Sequence, residues 1–176
     1  MTQNIDELHT PRLRGERLVE EHREFLYRMF QDPIVTDTLG GVLSDERCAV
    51  ALKNNLNHWR HYGFGIWHFY HSESGEFVGR AGLRRMELVP QGGIELAYTV
   101  MSEFWNQGYA TEMSREVLRV GFDVLHLPEI VTFTLPTNLA SQRVMQKLGF
   151  EFDRDGEHAG LPHVFYRLGA NQFRQS

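Results

Sequence analysis

A chain of 176 residues, 41% of them hydrophobic, has material for one sizeable core and too little for two, so residues 1–176 read as a single domain. The formal charge of −5 argues against a nucleic-acid partner, whose binding draws on a basic surface, and is favourable for a cationic amine; the single cysteine, Cys48, excludes an internal disulfide and a thiolate metal cluster. The polar start Met1–Glu7 has no apolar stretch and no run approaches a membrane span, so a cytoplasmic protein without membrane contact is expected, as monomer or homodimer.

In chain order, Leu13–Leu18 reads as a strand and Glu20–Phe30 as a helix, with Phe25, Leu26, Met29 and Phe30 at helical spacing. Asp32-Pro33 stops that helix. Ser44, followed by Asp45 and Glu46, opens a second helix to about His61, striped by Cys48, Leu52, Leu56 and Trp59. Gly65–His71 and Phe77–Arg85 are strands joined by the hairpin-like Ser72–Glu76. A strand at Gly93–Val100, a helix at Thr111–Leu125, a strand at Ile130–Leu135, a helix at Asn138–Lys147 and strands near Phe150–Arg154 and His163–Leu168 complete the chain. The order β-α-α-β-β-β-α-β-α-β-β describes an α/β (α+β) fold with a mixed central sheet of about seven strands and about four helices.

The segment Phe104–Glu112 joins an extended apolar run to a helix start through Asn106-Gln107-Gly108. Amides at a helix start lack intrahelical acceptors and carry the positive end of the helix dipole, so a phosphate seated there gains hydrogen bonds and field together. Gly108 and Ala110, with little or no side chain, let a pyrophosphate approach the main chain of Asn106, Gln107, Gly108, Tyr109, Ala110 and Thr111.

That loop, the Asn138-x-x-Ser141 helix start ending in Lys147–Phe150, and Gly79–Leu83 on an earlier strand follow one another as in the GNAT N-acetyltransferases. Within these the chain resembles the RimJ/RimL branch of ribosomal-protein acetyltransferases, over about residues 10–168. The resemblance implies a single-domain GNAT fold, acetyl-CoA as cosubstrate, no metal, and an amine acceptor that is either a small molecule or a protein N-terminus. It also implies that strands 93–100 and 130–135 splay into a V-shaped slot for the pantetheine arm. Trp105 stands where much of the superfamily has Gln or Arg, an aromatic choice common in the RimJ/RimL branch.

Acetyl transfer from a thioester needs a neutral amine, a polarised carbonyl and a protonated leaving thiolate. Glu95 is the candidate base: strand alternation puts it with the small Ala97 and Thr99, opposite Ile94, Leu96, Tyr98 and Val100, and burial there raises a carboxyl toward a useful value. The matching position carries the base in many GNAT enzymes. The alternative is a carboxylate paired with an arginine or capping a neighbouring loop. The usual tyrosine acid, seven residues after Asn138, is replaced by Met145. Ser141 matches the serine of RimL-type enzymes and is read as a donor to the sulfur, with helix capping as its alternative role. Asn138 is a candidate partner for the pantetheine arm or a helix cap, and backbone amides near Val100 and Met101 are candidates to hold the oxyanion.

The arginines of Arg12/Arg14/Arg17 and Arg80/Arg84/Arg85 read as solvated surface, one near the phosphates excepted. His58 and His61 lack a third ligand and His68 and His71 fall on opposite strand faces, which argues against a metal site. Gly63-Phe64-Gly65 lacks the third glycine of a dinucleotide site, and no Gly-Lys-Ser/Thr is present. The rival in another class is a catalytically silent module that binds acyl-CoA. The loops Gly40–Leu43 and Leu88–Gly92 are expected to shape the acceptor pocket.

Overall fold

The computed structural model of the chain describes residues 4–86 and 93–175. Strands β1 (Glu7–His9), β2 (Leu13–Arg17), β3 (Ile66–His71), β4 (Phe77–Arg85) and β5 (Ile94–Val100) succeed one another as antiparallel neighbours. β5 then meets β6 (Glu129–Thr134) in parallel, and β8 (Leu161–Gly169) lies between β6 and β7 (Glu151–His158). The sheet thus has eight strands in the order β1-β2-β3-β4-β5-β6-β8-β7. The strand beyond the seven expected is β1. Its one apolar residue, Leu8, is buried, and the Trp67 indole donates to the Ile5 carbonyl at 2.7 Å, tying this edge to β3.

A single helical turn at Glu20–His22 runs into α1 (Arg23–Gln31). The Asp32-Pro33 break is a start as well as a stop: the Asp32 carboxylate accepts from the Ile34 amide at 2.8 Å and caps α2 (Pro33–Thr36), with proline in the first helical position, where a missing N–H costs nothing. α3 (Asp45–Tyr62) begins on the Ser44 cap and ends at Gly63 in a left-handed conformation, with Cys48, Leu52 and Trp59 buried along the expected stripe. α4 (Tyr109–Arg119) starts two residues earlier than expected and passes into a π turn, Val120–Val124. α5 (Leu139–Lys147) and α6 (Ala170–Phe173) follow β6 and β8.

α4 packs on β4 and β5. In its π turn a Cβ on Gly121 would stand 2.7 Å from Ile130 Cδ1 and 3.1 Å from Leu83 Cδ1, so only glycine lets the turn lie this close to the sheet. α1 covers the opposite face, where Phe30 lies under the Arg80 guanidinium at 4.5 Å. Residues alternating along β4 and β5 therefore point to one helical layer or the other, and Arg80, Arg84, Glu95, Ala97 and Thr99 share the α1 side. Among the described residues no helix is long and apolar enough to cross a membrane.

Candidate active site

β5 and β6 share one ladder partnership, Glu95 with Val131. The Thr132 hydroxyl adds a bond to the Leu96 carbonyl at 3.0 Å, after which β5 runs on without a strand partner on this side. Ala97, Tyr98 and Thr99 are accordingly half-buried, whereas Ile94 to Leu96 are buried. The expected splay is present, and Glu95 stands at its root.

The end of β5 leads through a short turn, Ser102–Phe104, to Asn106 (φ 61°) and Gly108 (φ 82°), both left-handed. No side chain caps α4, so the amides of its first turn face outward. Trp105 braces this loop by donating its indole N–H to the Val100 carbonyl at 2.8 Å while its ring stays half-exposed. Arg12 lies alongside: it stacks on Tyr109 at 4.1 Å, donates to the Gln107 carbonyl at 3.0 Å, and is held by Glu112, to which its Nε donates at 2.7 Å. Glu112 also accepts from the Thr10 hydroxyl and the Arg12 amide. Burial by itself would raise the Glu112 carboxyl, and these hydrogen bonds together with the Arg12 charge outweigh it, holding the group below the usual range. A loop of free amides with a fixed guanidinium beside it is suited to a phosphate group. Arg12 is the one arginine of its group placed there.

Glu95 is 4% exposed and accepts from Arg84 Nη2 at 2.9 Å, so the arginine pairing left open by the sequence is present at the candidate base. The reading of the second arginine group as solvated surface is corrected for Arg80, which is 7% exposed and stacked on Phe30. β7 and β8 bring His158 and His163 against Phe133 at 4.9 and 5.4 Å, and His158 senses the charges of both Glu95 and Arg84. Burial first, then His163 and Arg84, lower the His158 ring below the usual histidine range against an opposing pull from Glu95. Sequence reasoning passed over both histidines; the signal was their shared face in a hairpin whose register only pairing with β6 reveals. At Gly40 an added Cβ would meet Leu161 at 3.8 Å, so the Gly40–Leu43 loop borders the β7–β8 turn. The Leu88–Gly92 loop lies outside the described residues.

Across the slot the Tyr98 hydroxyl meets the Ser141 hydroxyl at 2.7 Å and donates to the Ser141 carbonyl at 3.1 Å. Burial drives the Tyr98 phenol upward despite this hydrogen bond, so it is protonated throughout the physiological range. Capping is done by Asn138, whose Oδ1 accepts from the Ser141 amide at 3.1 Å, leaving the Ser141 hydroxyl outside the cap. Met145 is 1% exposed and belongs to the core. Of the two oxyanion amides, Met101 is corrected: it donates to the Val78 carbonyl at 2.9 Å. Alternation sends the Val100 amide to the other edge of β5, into the slot. Neither His58 nitrogen is free for a metal, since Nδ1 meets the Phe64 carbonyl at 2.8 Å and Nε2 accepts from the Arg85 amide at 2.9 Å.

The model of the acetyltransferase (GNAT) domain matches residues 12–151. The chain belongs to the GNAT acetyltransferase family. This GNAT acyltransferase is 34% identical over 151 residues to the FsC-acetyl coenzyme A-N(2)-transacetylase of Aspergillus fumigatus, a match covering 81% of this chain and 63% of that longer protein. It is 26% identical over 160 residues to YkkB of Bacillus subtilis, covering 90% of this chain and 93% of that one. In structure it is similar to an acetyltransferase from Agrobacterium tumefaciens, with a TM-score of 0.82 and 24% identity over 96% of each chain. The order of elements inferred from the sequence runs through the observed one, which adds β1, α2 and α6, and GNAT enzymes draw their acetyl group from acetyl-CoA.

Proposed function

We propose that this acyltransferase moves the acetyl group of acetyl-CoA to a primary amine by direct attack on the thioester, as a RimJ/RimL-like enzyme. The observation that carries the reading is the slot itself: among the described residues β5 and β6 share the single ladder partnership of Glu95 with Val131 and part after the Thr132–Leu96 bond, with the uncapped start of α4 at the mouth. The residues present fit the cosubstrate. Gly108 in a left-handed conformation, the first amides of α4 and the guanidinium of Arg12 suit a pyrophosphate, and the gap beside Ala97–Thr99 suits a thin chain running inward. When bound, acetyl-CoA supplies the activated acyl group.

Glu95 takes the proton that the attacking amine must lose, through water because the carboxylate is buried and tied to Arg84. The Val100 amide holds the developing oxyanion at the end of β5. As the carbon–sulfur bond breaks, the Tyr98 hydroxyl turns its one proton from the Ser141 carbonyl to Ser141 Oγ, which frees the Ser141 proton to be donated to the sulfur; a thiol of pKa about 8.5 needs no stronger acid near neutral pH. Asn138 fixes the turn that presents Ser141, its Oδ1 being taken by the Ser141 amide, which leaves its amide nitrogen for the pantetheine arm. Incubation with acetyl-CoA and a panel of amines and N-terminal peptides, followed by thiol detection, tests the reading. Amine-dependent thiol release supports it. Tight acetyl-CoA binding with no release from any amine contradicts it and marks a silent binding module.

A further inference from the structure

On the α1 side of the sheet two buried polar side chains stand next to each other without acceptors. His68 on β3 and Arg80 on β4 are register partners, so their side chains leave the same face one strand apart. His68 is 0% exposed and Arg80 7%. Among the described residues neither ring nitrogen of His68, nor Arg80 Nε, has a hydrogen-bond partner. No carboxylate among the described residues pairs with Arg80 either: on this face Glu16, opposite His68, is held by Arg14 and His22, and Glu95 by Arg84. The stack on Phe30 gives Arg80 an aromatic floor without an acceptor.

Burying a charge without a counter-charge is among the most expensive things a fold can do. Burial, with the Arg84 charge adding to it and Glu95 opposing it, lowers the Arg80 guanidinium to about 9. Burial, with His22 and Arg80 adding to it, lowers His68 well below the usual histidine range, so its ring is neutral and presents one N–H. Arg14 and Arg84, on the same face, are each held by a carboxylate, Glu16 and Glu95, which leaves Arg80 as the arginine there without a counter-charge. Thr99, directly opposite Arg80, and Ala97 are small and half-buried, and Thr99 adjoins Val100, whose amide enters the slot. An anion reaching Arg80 therefore sits on the acceptor side of the sheet, next to the end of β5 where the amine must arrive.

We infer that Arg80, with His68 beside it, is the acceptor's anchor and that the acceptor is an amine carrying a carboxylate, an amino-acid-like molecule whose carboxylate pairs with the Arg80 guanidinium while its amine faces the slot. This rests on the acetyl transfer proposed above and narrows its acceptor. A carboxylate matches the planar guanidinium with two parallel hydrogen bonds and supplies the missing counter-charge.

The test pairs each L-amino acid with its own α-amide as acceptor, at saturating acetyl-CoA, in the wild type and in Arg80→Met. The expected result is a tenfold or greater preference in kcat/KM for the acid over the amide, abolished in Arg80→Met while acetyl-CoA affinity is unchanged. Amides used as well as acids, or a preference that survives Arg80→Met, overturns the inference and leaves acetyl transfer standing. Thiol release from no amine overturns the transfer reading instead. The anchor is then decided by thermal unfolding with N-acetylglycine and N-acetylglycinamide: the acid is expected to raise the midpoint of the wild type and not of Arg80→Met, and the amide to raise neither. N-acetylglycine without effect on the wild type overturns the anchor. Arg80→Met itself is expected to unfold at or above the wild-type temperature, because it removes an uncompensated buried charge. A marked fall would show a structural cation and overturn the proposal.

Discussion

The hydroxyls of Tyr98 and Ser141, 43 residues apart in sequence, meet at 2.7 Å and link the free side of β5 to the first turn of α5. In the mechanism proposed above the pair stands in for the tyrosine that many GNAT enzymes carry at the Met145 position. Because Tyr98 also donates to the Ser141 carbonyl, removing either hydroxyl disturbs the other. Ser141→Ala and Tyr98→Phe are each expected to lower kcat about 10- to 100-fold without weakening acetyl-CoA binding, in the range of a lost hydrogen bond to a developing charge. The double variant is expected to be no worse than the worse single one, which a double-mutant cycle on kcat reads directly. Additive losses would separate the two residues.

At the phosphate loop, Gly108 holds φ at 82° with Arg12 Nη2 3.6 Å from the place of a Cβ. Gly108→Ala strains the turn by about 1–3 kcal/mol and puts a methyl group where the amides meet the ligand. Acetyl-CoA affinity, measured by calorimetry at a temperature where the variant is folded, is expected to fall tenfold or more, about 1.4 kcal/mol. Unchanged affinity would remove the pyrophosphate from this loop.

Glu112 fastens β2's approach to the start of α4 through Thr10 and Arg12, and its carboxyl is held below the usual range. A depressed carboxyl contributes stability that is fully present above its unfolded value, about 4.3, and is lost as pH falls through the lower folded value. Glu112→Gln is therefore expected to unfold at a lower temperature than the wild type near pH 7, with the gap closing as pH falls below about 4. Thermal unfolding across pH 7 to 3 checks this. A gap that stays constant with pH would assign the loss to packing.

What the sequence shows and what it hides follows the range of the interactions. Ser44 and the stripe of α3, the alternation of β5, and the small-residue turn before α4 are written in neighbouring residues, and each was legible. β1 was not, because three residues with one buried leucine give no alternation to count, and the strand exists through its pairing with β2. The Arg12–Glu112 clasp spans 100 residues, and nothing local marks either member. The choice between the Val100 and Met101 amides depends on the register of β5 against β4, which decides which edge each N–H faces. Arg80 was read as surface because alternation scatters the arginines of β4 over both faces; which face α1 covers, and hence that Phe30 buries Arg80, is set by packing far along the chain.

The account centres on Glu95 as the group that takes the amine's proton, and Glu95→Gln tests it most directly. The amide keeps the size of the side chain and the oxygen that faces Arg84, so the fold and the slot are retained. Thiol-release kinetics, with acetyl-CoA affinity measured alongside, are expected to show kcat lower by about 10²–10⁴ and affinity within about twofold of the wild type. A loss of less than about threefold in kcat, with the same acceptor at the same pH, would contradict the account and pass the proton to another group or to bulk water.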